Sequence, residues 1–285
     1  MFKYINSDFP VNGIVACSGI EGSNAQAACM KIFPEGKISY FNSFKAVFEA
    51  VASDNCEYGV LPIENSFNGS VRAVYDLIIE CKFYILKSLL LPIRHCLLAK
   101  HGAKIETIKT VYSHSQALGQ CSKFLDSLTD KNGAKKIPFW NTAAAAKMVS
   151  ESDENDIAAI ASPLCSELYG LDCLSSDIQD QNNNYTKFIC ISKNPVIYKG
   201  ADHISLITGC NNEPGALNKI LSIISKHNVN MNKLESCPKA GSQFEYIFFL
   251  ELETSLKANG TNSMLDEIQQ NCTDFIFLGN YEQGR

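Results

Sequence analysis

The chain has 285 residues, enough for two domains, and its 46% hydrophobic and 19% charged residues exclude a disordered chain. The net charge is −5 with no Lys/Arg cluster, which argues against nucleic acid or an anionic membrane as partner. Residues 1–12 lack the apolar core of a signal peptide and no apolar run is long enough to span a bilayer, so a cytoplasmic location is expected. The 12 cysteines fall singly, without Cys-x-x-Cys pairs or zinc spacing, the pattern of small buried thiols.

Ile14-Val15-Ala16 reads as a strand leading into Gly19, Gly22 and Ser23, after which Ala25, Ala28, Cys29 and Ile32 fall at helical spacing. Ser43 is placed to cap a helix whose apolar face is Phe44, Val47, Phe48 and Val51. Tyr58 to Ile63 reads as a strand ending in a polar loop, Glu64-Asn65-Ser66, and Ser70 begins a helix with Val71, Val74, Tyr75 and Ile78 on one side. Leu89–Leu91, Cys96–Ala99 and Thr110–Tyr112 are strand-like, the last followed by Ser113-His114-Ser115-Gln116 and one helix through Leu118, Cys121 and Leu125. Thr142 is expected to cap an alanine-rich helix, Ile157–Ala161 a strand, Ser162-Pro163 a helix start, Asp172–Asn184 a loop and Phe188–Ile191 a closing strand. Residues 194–202, with Pro195 and Gly200, read as a linker. Beyond it come a strand at Ile204–Thr208, a helix from Pro214 with Leu217, Ile220, Leu221 and Ile224 inside, strands at Val229–Glu235 and Phe244–Leu252, a helix at Met264–Gln270 and a strand at Phe275–Leu278. That order is βαββαβ, the ferredoxin-like layout. The alternation before it predicts α/β layers, whose ligands sit at the carboxyl ends of strands.

Eleven short segments in order resemble the prephenate dehydratase family. They are GVLPIENS at Gly59–Ser66, NGSV at Asn68–Val71, LPIRH at Leu91–His95, YSHSQAL at Tyr112–Leu118, NTAA at Asn141–Ala144, AAIAS at Ala158–Ser162, ELYGL at Glu167–Leu171, IQD at Ile178–Asp180 followed by TKF at Thr186–Phe188, and then EPGAL at Glu213–Leu217 and ESCP at Glu235–Pro238. The last two resemble the family's ACT domain. The resemblance implies a catalytic region at 1–193, folded like a type II periplasmic binding protein. Lobe one would be about 1–80 plus 185–193, and lobe two about 85–170. A linker at 194–202 and an ACT regulatory domain at 203–285 would follow.

The implied reaction is the decarboxylating dehydration of prephenate to phenylpyruvate, CO2 and water. It needs no cofactor or metal, and the sequence holds no metal motif. By resemblance, Thr186, Asn65, Ser113, Gln120 and Glu64 are the catalytic candidates, and Ser23, Ser66, Thr142, Lys187 and Phe188 bind substrate. Thr186 is the expected donor to the departing hydroxyl, with Glu64 as the rival acid if burial raises its pKa. A lone His after a strand is more often structural than catalytic, so His114 and His95 are read as structural, and Arg72 and Arg94 as facing solvent or pairing locally. Asn212, Pro214, Gly215, Ala216, Leu217, Glu235 and Ser236 are expected to bind L-phenylalanine between the ACT domains of a homodimer or homotetramer. The chain departs from the family at Lys187, where Arg is usual, at Cys237, also in place of Arg, and at Asn218, where Val is common. An arogenate dehydratase is the nearest alternative, and a non-catalytic amino-acid sensor the alternative of another class. A periplasmic solute-binding protein matches the lobes only.

Overall fold

The computed structural model describes residues 3–238 and 246–284. In chain order the first elements are β1 (Lys3–Tyr4), β2 (Ile14–Ser18), α1 (Asn24–Ile32), β3 (Lys37–Phe41), α2 (Phe44–Ala52), β4 (Tyr58–Asn65), β5 (Gly69–Ser70) and α3 (Arg72–Cys81). Next come β6 (Tyr84–Pro92), β7 (Cys96–Ala99), β8 (Thr110–Ser113), α4 (Ser115–Gln120), α5 (Ser122–Asn132), β9 (Lys135–Pro138), α6 (Thr142–Glu151), β10 (Ile157–Ala161), α7 (Leu164–Tyr169), β11 (Asp172–Ser175) and β12 (Tyr185–Ser192). The last are β13 (Val196–Ile197), β14 (His203–Gly209), α8 (Ala216–Lys226), β15 (Asn230–Pro238), β16 (Tyr246–Glu253), α9 (Thr261–Gln270) and β17 (Asp274–Gly284). The chain forms two compact units.

One unit is Val11–Val74 with Leu90–Phe188, and it holds two sheets. In the first, β2 runs parallel to β3 and β4, with Val15 opposite both Ile38 and Tyr58. In the second the strand order is β11-β7-β10-β8-β9, with β10 parallel to β8 and antiparallel to β7. Ile157–Ala161 is buried throughout because this sheet is covered on both faces. Ala158 and Ile160 pack with Val111, Leu118 and Leu125, while Ala159 and Ala161 pack with Ala143, Ala146 and Val149 of α6. The two sheets with their helices are the two α/β lobes.

The other unit is Met1–Pro10, Tyr75–Leu89 and Ile189–Arg285. Its core is the expected βαββαβ series, strand order β15-β16-β14-β17, with Ile220, Ile224, Met264 and Ile268 of the helices packed on Ile204, Leu206, Leu250 and Leu252. On the sheet's opposite face the Tyr281 hydroxyl is buried against Ser205 Oγ at 2.6 Å and Glu251 Oε2 at 3.0 Å. Burial pushes that phenol well above its ordinary pKa.

Several local expectations change. β4 runs on through Glu64 and Asn65, which pair with Ser70 and Gly69 of β5, so these two residues alternate across a strand rather than share a loop. Asn141, not Thr142, caps α6: its Oδ1 accepts from the amides of Ala143 and Ala144 at 2.8 and 3.2 Å. The helix after Ser113 is broken at Cys121 into α4 and α5. Asp172–Ser175 is a strand on β7, and the supposed linker contains β13, paired with β1. Phe244, the expected start of a strand, lies outside the described residues. Ser43 caps α2 as read, accepting from Ala46 N at 3.1 Å. Of the 12 cysteines only Cys173 is exposed.

The lobes are stapled where β2 turns into α1. The Gly22 carbonyl accepts from Ser162 Oγ at 2.9 Å and Cys165 Sγ at 3.2 Å, and the Tyr169 hydroxyl donates to the Glu21 carbonyl at 2.8 Å. Gly22 sits at φ 84, and a Cβ there would lie 2.9 Å from Cys165 Sγ. Gly22→Ala is therefore expected to lower stability by about 1–3 kcal/mol, read as a fall in denaturation midpoint. A midpoint equal to wild type would show that the turn relaxes freely.

Candidate active site

A cavity of about 650 Å³ lies within the two-lobed unit. Strand ends supply Ser18, Asn65, Thr186 and Phe188 to its wall. Helix starts supply Ser23, Asn24 and Ala25 of α1, Asn42, Ser43 and Phe44 of α2, His114 and Gln116 at α4, and Asn141 and Thr142 of α6. His95, Ile93, Val71, Gln120, Asn184 and the exposed Trp140 complete most of it. Among the described residues the lining holds no Asp, Glu, Lys or Arg; its titratable side chains are His95 and His114. Negative charge can still be held, because helix starts present free amides and the positive end of the helix dipole.

A chain of amides runs along one wall. Asn65 Oδ1 accepts from the backbone amides of Phe67 at 3.0 Å and Asn68 at 3.1 Å. A backbone N–H can only donate, so these bonds fix which end of the carboxamide is oxygen. Asn65 Nδ2 must then donate, and it reaches Asn184 Oδ1 at 2.9 Å, Thr186 Oγ1 at 3.0 Å and the Tyr185 carbonyl at 3.2 Å. Asn184 Nδ2 in turn donates to Gln120 Oε1 at 2.9 Å, and the same oxygen stands 2.9 Å from His95 Nε2. His95 must therefore carry its proton on Nε2. Its Nδ1 is buried and has no hydrogen-bond partner among the described residues. Since Thr186 Oγ1 accepts from Asn65, its own hydrogen is left to donate.

The structure brings Thr186, Asn65, Gln120, Ser23, Thr142 and Phe188 to the cavity wall, but not Ser113, Glu64, Ser66 or Lys187. Ser113 is fully buried and donates to the Ile160 carbonyl between β8 and β10. Glu64 is next to Asn65 on β4 but is not among the lining residues, and Lys187, between Thr186 and Phe188, is turned away from the cavity by alternation. Lys187 is only 8% exposed, which excludes a solvent-facing charge. Ser66 ties β4 to the segment before β12: its Oγ donates to the Asn183 carbonyl at 3.2 Å and accepts from Tyr185 N at 3.0 Å. Arg94 pairs with Asp177 at the surface.

Sequence reasoning missed Asn184 and read His95 as structural. Asn184 closes a polar run that reads as loop, and His95, though inside the LPIRH segment, is a lone imidazole; they lie 64 and 25 residues from their shared partner Gln120. His114 Nδ1 accepts from Gln116 N at 3.3 Å, a helix cap.

In the C-terminal unit, Gly215 stands at φ 85 before α8, and a Cβ there would meet nothing within 4 Å. Asn212 and Pro214 are exposed beside it, Ala216 is buried and Leu217 half-buried. Glu235 pairs with Phe249 in register and Ser236 with Phe248, so alternation puts Ser236 on the helix-bearing face and Glu235 on the other. Glu235 is 3.1 Å from Lys233 Nζ. Cys237 is 3% exposed, and Asn218 is on the outer side of α8.

The family model for prephenate dehydratase matches residues 15–196, and that for the ACT domain matches residues 204–258. Arogenate dehydratase/prephenate dehydratase 1, chloroplastic, of Arabidopsis thaliana is 34% identical over 287 residues, covering 94% of this chain and 71% of that protein. The solved prephenate dehydratase in complex with L-Phe from Arthrobacter aurescens superposes with TM-score 0.85 at 27% identity, over 94% of this chain and 90% of that one. GqqA, reported as a novel type of quorum quenching acylase, superposes with TM-score 0.86 at 28% identity, over 95% and 98%.

Burial lowers the pKa of His95 below its ordinary value, more than the Gln120 bond restores it. The folded protein therefore refuses a proton that the unfolded chain accepts, so stability is full above the ordinary value of about 6.5 and is lost as pH falls from there toward the lowered value. Wild type should lose more stability between about pH 7.5 and pH 5.5 than His95→Gln, measured by denaturant unfolding at each pH. Equal losses would show that His95 titrates normally in the fold.

Proposed function

The chain belongs to the prephenate dehydratase family, and we propose that it converts prephenate to phenylpyruvate, CO2 and water, with prephenate preferred over arogenate. The observation that carries the preference is the absence of any carboxylate from the cavity lining. The two substrates differ where prephenate has a keto group and arogenate an ammonium, and a desolvated ammonium without an anion is costly. The relative of Arabidopsis thaliana bears both activities in its name, so arogenate is the second reading. An acylase reading lacks support, since the two imidazoles of the cavity are engaged by Gln120 and by the Gln116 amide.

In this reading the pyruvyl carboxylate lies against the helix starts at Ser23, Ser43 and Thr142. The ring sits beside Phe44, Val71 and Phe188. Breaking the bond to the ring carboxylate releases CO2, and its electron pair enters the ring. The hydroxyl leaves with a proton as water, and the ring becomes aromatic. Thr186 donates to the departing oxygen because Asn65 occupies its acceptor side. A wall without fixed cations leaves the ring carboxylate poorly stabilised, which favours its loss.

The reading extends to feedback by L-phenylalanine at the ACT domain. The relative from Arthrobacter aurescens was solved with L-Phe bound. Open space at Gly215 and the free start of α8 suit an amino-acid carboxylate. β15 is the outermost strand of its sheet, which suits pairing of two copies in a homodimer or larger assembly. With Glu235 on the opposite face from α8 and no Arg at position 237, the inhibition should be weak.

Phenylpyruvate formation from prephenate and L-phenylalanine formation from arogenate, with the prephenate assay repeated in the presence of L-phenylalanine, are the direct test. We expect kcat/KM for prephenate to exceed that for arogenate at least about tenfold, and L-phenylalanine to inhibit by a coupling near the low end of about 1–3 kcal/mol. A reversed ratio makes the protein an arogenate dehydratase, and turnover of neither substrate removes the enzyme reading. Thr186→Ala should lower kcat by about 100- to 1000-fold, with Thr186→Ser retaining most of it. If instead Glu64→Gln abolishes turnover and Thr186→Ala does not, the proton donor is Glu64.

A further inference from the structure

His95 is 4% exposed, lies on the cavity wall, and keeps a buried Nδ1 that has no hydrogen-bond partner among the described residues. Burying a ring nitrogen without a partner is unfavourable, and a side chain present for packing alone has no reason to carry one. The other nitrogen supplies the reason. Gln120 Oε1 receives two hydrogen bonds, from His95 Nε2 and Asn184 Nδ2, both at 2.9 Å. A carbonyl oxygen has two acceptor sites, so this one is full. The carboxamide cannot then rotate its oxygen toward the cavity, and only its NH2 faces the space where substrate would lie. One donor would leave the oxygen half-satisfied and the amide free to turn over.

We propose that His95 is a positioning residue for the dehydration: as an Nε2–H donor it pins the Gln120 carboxamide so that the amide nitrogen presents its hydrogens to the substrate. The proposal rests on the dehydratase reading above. With Thr186 held as a donor by Asn65, two hydrogen-bond donors then face the cavity from one wall, their directions set by groups that never touch substrate. His95 itself stays outside the reacting atoms and exchanges no proton with them.

The test has a spectroscopic arm and a kinetic arm. ¹⁵N NMR of the imidazoles in the full chain should show His95 as the neutral Nε2–H tautomer, and Gln120→Leu should shift that signal. An Nδ1–H tautomer in wild type overturns the proposal whether or not the protein is active. In the kinetic arm, His95→Leu should lower kcat with prephenate by about 10- to 100-fold with little change in KM. His95→Gln, which can place an N–H where Nε2 stood, should restore kcat to within about tenfold of wild type. On a Gln120→Leu background, His95→Leu should add almost nothing, because the residue acts through Gln120. Additive losses, or a His95→Leu enzyme of normal kcat, overturn it. If His95→Leu does not fold, failure of the folded His95→Gln enzyme to outperform a folded His95→Asn enzyme, whose shorter amide falls short of Gln120, overturns it equally. Wild type inactive on both substrates instead removes the dehydratase reading, and the tautomer result then reports the geometry alone.

Discussion

Two backbone amides, those of Phe67 and Asn68, set the polarity of the cavity wall. They can only donate, so the Asn65 carboxamide must point its oxygen at them and its nitrogen inward. Each later group is then forced in turn: Asn184 oxygen toward Asn65, Gln120 oxygen toward Asn184, and a proton on His95 Nε2. The same constraint makes Thr186 an acceptor toward Asn65 and a donor toward the cavity. A tight turn between β4 and β5 thus decides the protonation of a ring in the connection between β6 and β7, with no charged side chain involved.

The rest of the cavity follows the same economy. To a carboxylate the wall offers helix starts rather than Arg or Lys, and the N-caps of those helices, Ser23, Ser43 and Asn141, are themselves wall residues. A fixed cation would bind both carboxylates of a dianion alike and resist the loss of either. Oriented dipoles favour only the group that lies against them. An uncharged wall is therefore suited to a reaction in which one carboxylate must stay and the other must leave.

Much of the fold was legible in the residues. Period-3.6 patterns marked α1 and α2, a serine marked the start of α2, and the βαββαβ series stood out because each element is short and cleanly patterned. The edge strands β3, β9 and β11 were not legible, because strands with exposed faces lack the apolar runs that reveal central ones. At the site, motif content located the right segments but not the side chains within them. Glu64 and Asn65 are adjacent in one motif, yet pleating sends them to opposite sides, and Ser113 ends a strand where its hydroxyl serves the sheet. The LPIRH segment contains His95 without showing its role, and Asn184 carries no local signal, since their place in the wall exists only once segments far apart in sequence meet.

The staple at Gly22 bears on how the cleft can move. Ser162 and Cys165 of one lobe grip the Gly22 carbonyl of the other, and Tyr169 grips the carbonyl next to it. Both gripped groups are main chain, so the attachment is short and leaves little slack. Widening the cleft on that side means breaking all three bonds together, whereas turning about them leaves all three intact. The turn between β2 and α1 is thereby a pivot, and the rim on the side of the cleft away from it has the longer lever arm.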